Sequence, residues 1–579
     1  MKLLPDFCIH PTKLSEQIAA HPARRSILFA LIATGGILLS QFSFVLGASG
    51  WWAPIAVSVI VCTWWARVVE GGSSDVGVFI ALWLFSALIA RATFDASWDG
   101  MWYHKNAVIA LADGWNAFYE KHWEGWGQSY PMGHWIWDAS FYRLFGYMGS
   151  AHATNFLFAF GVVWSLPPLL AQYGINARMS RFLAGVITFN PIVLTQLTTG
   201  YVDGTMTIAL IVSILLAERA IRNRDALSLW AATLWLAFGS CMKFTGWVYA
   251  GTAVITLCIY GAVVIAIAKF AKHKSQIVQG DGSQATWGSL SLRIGFTAGA
   301  LVLFSNLHPI TNNWLTGGHP MWPLFGKSTV TILHQDAPKA FYEKGLLLRP
   351  ALSVFARSRN DPREMPKVKP PGALEWEEWK WFDQPDVRYG GLGPLFSLAL
   401  TLAILTIVVT VTYYRSNVGV ARGAARSAAL AVALIAWGYF CIHPWWARYA
   451  GFWWILPVIP ILFLWNQRST TRLTRYALIA ILAILVANEL GVLNYALRGA
   501  RHAKNQWRDF RIAVAKAECA DGRPVILVGP HEPMNVSYAR ALNDAGVRAV
   551  AERTDLRPPG RQIAEIQNKT TAICRAPSN

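Results

Sequence analysis

Long apolar runs separated by short basic turns dominate the chain. An α-helix needs about 20 apolar residues to cross a hydrocarbon core of about 30 Å. Runs of suitable length fall at residues 26–46, 51–69, 76–92, 152–171, 181–198, 204–220 and 227–243. Six more fall at 247–268, 292–308, 391–412, 427–443, 450–466 and 475–494. The pattern therefore predicts about 13 transmembrane helices.

The polar residues between these runs set an orientation. Lys13, Arg24 and Arg25 precede the first run, and basic residues return in every second connection: Arg178 and Arg181, then Arg219, Arg222 and Arg224, then Lys269, Lys272 and Lys274. Arg415, Arg422 and Arg426, and then Arg468, Arg472 and Arg475, keep the same parity. Short loops rich in Lys and Arg stay in the cytoplasm, so the N-terminus (1–25) is expected there and the other connections outside. The outer side then receives a loop over 93–151, a second over 309–390, and everything from 496 onward.

That tail changes period. The segment 505–518 reads as a helix, 524–530 as a buried strand, 536–546 as a helix ending at glycine, and 547–554 and 571–576 as strand candidates. The expected fold class is an all-α polytopic membrane protein (26–495) with two long extracytoplasmic loops and a small C-terminal α/β domain (496–579).

Composition agrees with a bilayer as solvent: 54% of residues are hydrophobic and only 14% charged. The net charge of +19 resides in the turns rather than along an amphipathic face, which speaks against a nucleic-acid partner. The 29 Trp residues suggest many helix ends at the headgroup level, where an indole is half buried with a wet N–H. Neither a phosphate loop, a GxGxxG turn, an HExxH helix nor a CxxC pair occurs. Of seven Cys, Cys8, Cys62, Cys241, Cys258 and Cys441 sit in or beside apolar segments; Cys519 and Cys574 lie in the tail, where one disulfide and two free thiols are both open readings.

Ionisable residues gather at the outer ends of the runs. Asp95, Asp99 and His104 open the first outer loop, where Asp99 could simply cap the following helix or act as a general base. Asp203 stands in the next outer turn, and Lys243 in the one after, where a snorkelling ammonium is the plain explanation. The second loop begins at His308 with a Pro-, Gly- and Trp-rich stretch expected to be turns rather than helix. It continues through Arg349, Arg357, Arg359, Arg363, Lys367 and Lys369, a cationic stretch that could face lipid phosphates or be solvated and flexible. His443 and Arg448 reach the same side, and a guanidinium suits a phosphate. Topology alone thus puts two acids, Asp99 and Asp203, and one base, Lys243, on one face.

In order and spacing, several short motifs resemble the GT-C class of polytopic glycosyltransferases, which includes protein O-mannosyltransferases and the aminoarabinose transferases of lipid A. The carriers are Trp98-Asp-Gly-Met-Trp-Tyr-His104, Tyr130-Pro-Met-Gly133, Tyr201-Val-Asp-Gly204 and Lys243-Phe-Thr-Gly246, then Asn313 to Pro323, Tyr389 to Pro394, and Ala447-Arg-Tyr449. The resemblance implies sugar transfer from a polyprenyl-phosphate donor to a glycan, lipid or protein acceptor, with inversion, on the outer face of a bacterial inner membrane. It implies Asp99 as general base with Asp203 as a second acid, and Lys243, Arg448, Arg388 and His319 as candidates for the donor phosphate. Tyr103, His104, Asn313 and Trp322 are candidates for the acceptor or sugar. No cofactor is firmly implied; a divalent cation, magnesium or manganese, is left open on Asp99 and Asp203, although Asp95 and Asp99 are four apart where relatives carry adjacent acids. The tail lies outside the resemblance. The competing readings are a secondary transporter, which would need charges at the bilayer midplane, and a non-catalytic assembly factor for envelope polysaccharide.

Overall fold

The computed structural model describes residues 11–122, 125–272, 295–327, 329, 336–414, 417–441, 443–467, 470–517, 519, 523–552, 560–566 and 569–575. Among these, eight helices are long and apolar enough to cross a membrane: Arg24–Val45, Gly72–Arg91, Ala153–Ala171, Asp203–Asn223, Phe244–Val263, Phe396–Tyr413, Gly419–Gly438 and Arg472–Lys516. Four of the remaining expected spans are shorter apolar helices, Ala53–Val68, Ala226–Ser240, Gly295–Ser305 and Gly451–Leu464. The run expected at 181–198 is not one helix. It breaks into Ala177–Thr188 and Pro191–Gln196, because Pro191 cannot continue a helix and Asn190 caps the second piece by accepting from the Ile192 and Val193 amides.

Asp203–Asn223 is the most enclosed of the long helices, and the Phe396–Tyr413 and Gly72–Arg91 helices leave apolar faces outward. Indoles join these helices internally as well as at their ends. Trp235 donates to the Ser26 carbonyl, Trp454 to Val186 and Trp453 to Leu434, and Trp235 and Trp454 are fully buried. A buried indole is stable there because its one N–H finds an acceptor.

The start of the second outer loop departs from the expectation of turns: Leu307–Gly317 is a helix. Pro309 lies in its first turn, where a missing N–H costs nothing, and Gly318 ends it at φ 69°. Much of the cationic stretch beyond it is paired with acids of the same loop: Lys369 is buried against Glu378 at 2.6 Å, Arg357 pairs with Glu375, and Arg359 with Glu364, so it is not a loose loop.

Arg472–Lys516 is a single helix of 45 residues, about 70 Å long, so the boundary expected at 495 falls inside one continuous rod. Beyond it lie four strands, β1 (Val525–Val528), β2 (Ala549–Ala551), β3 (Gly560–Ile566) and β4 (Thr570–Arg575), in the order β2-β1-β4-β3. β1 pairs parallel with β2 through the helix Glu532–Asp544 and antiparallel with β4, and β3 was not anticipated. Cys519 and Cys574 are joined by a disulfide.

This unit grips the first outer loop. Phe94 stacks on Trp507 with centroids 4.4 Å apart, and Tyr538 adjoins both rings. Arg540 holds Asp113 at 2.8 Å, Tyr142 donates to Asp544, and Ser537 donates to the Met101 carbonyl at 2.8 Å. Met101 belongs to a π-helical turn, Gly100–His104, in which regular bonding is disturbed.

Closing a loop of 55 residues by a disulfide restricts the unfolded chain and stabilises by about 2–4 kcal/mol. Reduction, or Cys519→Ser, is expected to speed amide exchange in β1 and β4 by a corresponding factor, while exchange in Asp203–Asn223 stays unchanged.

Candidate active site

The first acid to settle is Asp95. Its Oδ1 accepts from the Ser97 amide at 2.9 Å and its Oδ2 from the Gly200 amide at 2.7 Å, with buried Lys105 3.7 Å away. Asp95 thereby knots the first outer loop to the turn that carries Asp203. Gly100 is required beside it, since a Cβ there would lie 2.1 Å from Asp95 Oδ2. Held by this knot, the chain presents Asp99 at the head of the π turn. Asp99 makes no side-chain cap bond to that turn. Its carboxylate faces Arg448 instead, 3.5 Å from NH1.

Arg448 is the hub. NH1 also lies 3.2 Å from Asp386, whose other oxygen accepts from the Trp446 indole at 2.6 Å. The guanidinium rests 4.1 Å from the centre of the Trp446 ring, and its buried Nε has no hydrogen-bond partner. Arg388 lies 5.0 Å from the same ring and pairs with Asp336 at 3.1 Å. Lys243 pairs with Asp203 at 2.5 Å and sits 4.5 Å from the Tyr449 ring. Four carboxylates and three cations thus share one site.

These groups line or underlie a cavity of about 1430 Å³. Its lining is partly apolar, with Phe244, Val248, Leu324, Phe325 and Phe440, and also includes Trp98 and Trp102 of the first loop and Ala496, Arg498, Gly499, Ala500, His502 and Ala503 of the long helix. The Asp99 side chain is 24% exposed to this space, whereas that of Asp203 is 1% exposed and engaged by Lys243 and Gln196. The two candidate acids therefore differ in kind: Asp99 can meet a substrate, and Asp203 fixes Lys243.

Burial pushes the Asp99 carboxyl above the ordinary aspartate range, while Arg448 and Lys243 pull it back. Burial likewise raises Asp386 against the pull of Arg448 and Arg388. The phenols of Tyr103 and Tyr201 are raised well above their usual value by burial and by Asp99, so both remain neutral donors around the carboxylate.

Of the residues singled out from the sequence, Asp99, Lys243, Arg448, Arg388 and Tyr103 line the cavity. Asp203 lies beneath it, held by Lys243 and Gln196, and four others are kept from it by the backbone groups and rings they meet. Asn313 donates to the Ser129 and Pro320 carbonyls, Trp322 donates to Lys327, His319 accepts from the Met321 amide, and His104 accepts from Trp135. They shape the loops that bring Met321 and Tyr103 to the cavity. Asp386, Asp336, Trp446 and Tyr449 were not singled out; the spacing of Asp386 and Arg388, two apart before a Gly-Gly turn, was the available signal for one of them.

Among the described residues no three His, Cys, Asp or Glu side chains converge as metal ligands. Asp99 and Asp203 each face a protein cation, so the pair does not fit a magnesium or manganese ion, which takes several oxygen ligands.

No family model matches the chain, and no curated protein matches it. Among solved structures the chain is similar to the crystal structure of ArnT from Cupriavidus metallidurans bound to undecaprenyl phosphate, at 14% identity over 87% of this chain and 100% of that one. The TM-score is 0.38, a level of likeness that carries no argument.

Removing one partner of a buried ion pair strands the other charge, at a cost of about 3–5 kcal/mol. Lys243→Met and Asp203→Asn are each expected to destabilise by this order in thermal unfolding, and the double variant by much less than the sum.

Proposed function

We propose that the chain is a GT-C-type membrane glycosyltransferase that moves a sugar from a polyprenyl-phosphate donor to an acceptor hydroxyl on an envelope glycan, lipid or protein. The observation that carries this reading is the meeting of Asp99 with Arg448, an accessible carboxylate beside a guanidinium with an unfilled donor, in a cavity with a partly apolar lining. A carboxylate serves the nucleophile, a cation serves the departing phosphate, and an apolar lining suits a lipid tail.

In this mechanism the acceptor hydroxyl gives its proton to Asp99 while its oxygen bonds to the anomeric carbon. The bond from that carbon to the phosphate oxygen breaks, and the electron pair leaves with the polyprenyl phosphate. The phosphate gains negative charge, which the Arg448 guanidinium meets first, with Arg388 and Lys243 nearby. A single displacement inverts the anomeric configuration. Water-poor surroundings strengthen each of these charge contacts.

The same reading places the chain in a bacterial inner membrane with a cytoplasmic N-terminus and a periplasmic C-terminus. The basic turns support that orientation, and the Cys519–Cys574 disulfide suits an oxidising compartment.

Two outcomes are expected with purified protein, a radiolabelled polyprenyl-phosphate sugar and an envelope acceptor fraction. Asp99→Asn lowers turnover by about 10²–10⁴-fold with carrier binding and thermal stability retained; an undiminished rate would exclude Asp99 as the base. Because the base must be deprotonated and burial raises its pKa, kcat/KM of the wild type falls as pH drops through a value above the ordinary aspartate value of about 3.9. An acid limb at or below that value would contradict the assignment.

A further inference from the structure

The cations at the centre of the cavity are all matched by carboxylates. Two guanidinia on its walls are not. Arg349 spends its donors on the Lys344 and Tyr342 carbonyls and so holds its own loop. Arg498 is different. It is exposed, it lines the cavity, its guanidinium lies over the Tyr495 ring at 4.7 Å, and among the described residues it makes no ion pair. His502, one turn further along the helix, lines the same cavity.

The helix beyond the bilayer carries the same sign. Arg501, Lys504, Arg508 and Arg511 follow Arg498 against a single acid, Asp509, which Arg508 holds at 3.0 Å. A cluster of one sign around a cleft raises the local concentration of an oppositely charged ligand. Arg498 brings this positive segment of the helix to the cavity.

Aromatic chemistry lines the same cavity. Trp98 is 41% exposed and lines the cavity with Trp102. His531 of the C-terminal unit braces both indoles edge-on or tilted, at 4.6 and 5.5 Å. A braced, half-exposed indole in water is a platform for a ligand with an apolar face and polar rim, the character of a sugar ring.

We infer that this part of the lining is the acceptor subsite and that it takes an anionic saccharide: a sugar face on Trp98, with a carboxylate or phosphate on Arg498 beside His502. The inference rests on the sugar-transfer reading for its meaning, since it supplies that reaction with an acceptor class. It also gives the C-terminal unit a task, because His531 and the long helix both contribute to it.

The test uses the full chain in phosphatidylcholine nanodiscs and equilibrium binding of three probes: trigalacturonate, mannose 6-phosphate and neutral maltotriose. At least one anionic probe is expected to bind about tenfold or more tightly than maltotriose, with affinity falling as salt rises. Which one binds identifies carboxylate or phosphate as the recognised group. Arg498→Ala is expected to weaken it about fivefold and Arg498→Glu more, with Arg498→Lys restoring most of the affinity. Trp98→Ala weakens binding without altering its salt dependence. Equal binding of maltotriose, no binding of any probe, or an unchanged Arg498→Glu overturns the inference. Should the wild type transfer no sugar while Arg498-dependent binding persists, the transferase reading falls and the anionic-saccharide site stands.

Discussion

Everything at the site depends on how charge is balanced where the chain leaves the bilayer. An isolated ion in a low-dielectric cavity is costly, and it persists there only when opposite charge and hydrogen bonds surround it. Arg448 meets that condition twice, facing Asp99 and Asp386 and lying on the Trp446 ring. Lys243 and Arg388 meet it once each, through Asp203 and Asp336. The groups that could do chemistry are consequently the same groups that make the cavity tolerable to the protein. Asp99 is the exception that matters, since it is paired yet still open to the cavity.

The spans were legible because a period is a long signal. Runs of apolar residues locate helices whatever their neighbours do, and basic turns recur in phase with them. Local interruptions were less visible. The Asn190–Pro191 break lies inside an apolar run, and the Leu307–Gly317 helix hides among Pro, Gly and Asn residues that elsewhere mark turns. Asp99 and Arg448 could be proposed because each ends a run on the same side. Asn313, Trp322, His319 and His104 looked equally polar in the sequence. What distinguishes them is the carbonyl, amide or ring each one meets, and those partners are remote in the chain or set by loop geometry. Asp386 and Trp446 are 60 positions apart and gain meaning only from contact.

The C-terminal unit illustrates the opposite case. Its strands and helix were readable from alternation and glycine, yet nothing in them pointed to the first outer loop. The contacts that join them are a ring stack, Phe94 on Trp507, and polar pairs such as Arg540 with Asp113, each formed across more than 400 residues. Through Ser537 the unit also satisfies a carbonyl of the π turn that follows Asp99, at Met101, and its Pro533 carbonyl accepts from Asn106 just beyond that turn. A segment outside the bilayer thereby steadies the backbone next to the accessible acid.

The long helix, finally, is a lever. Its first half lies at bilayer depth and its second half reaches Trp507, so no hinge separates the lipid from the cavity wall. Arg498 stands 26 residues from the start, about 39 Å along a rod that pivots as one body. Bilayers of different thickness change the tilt of a spanning helix, and a tilt of about 5° carries that point through about 3 Å. A change of tilt in this rod would move Arg498, and with it one side of the cavity, by that distance.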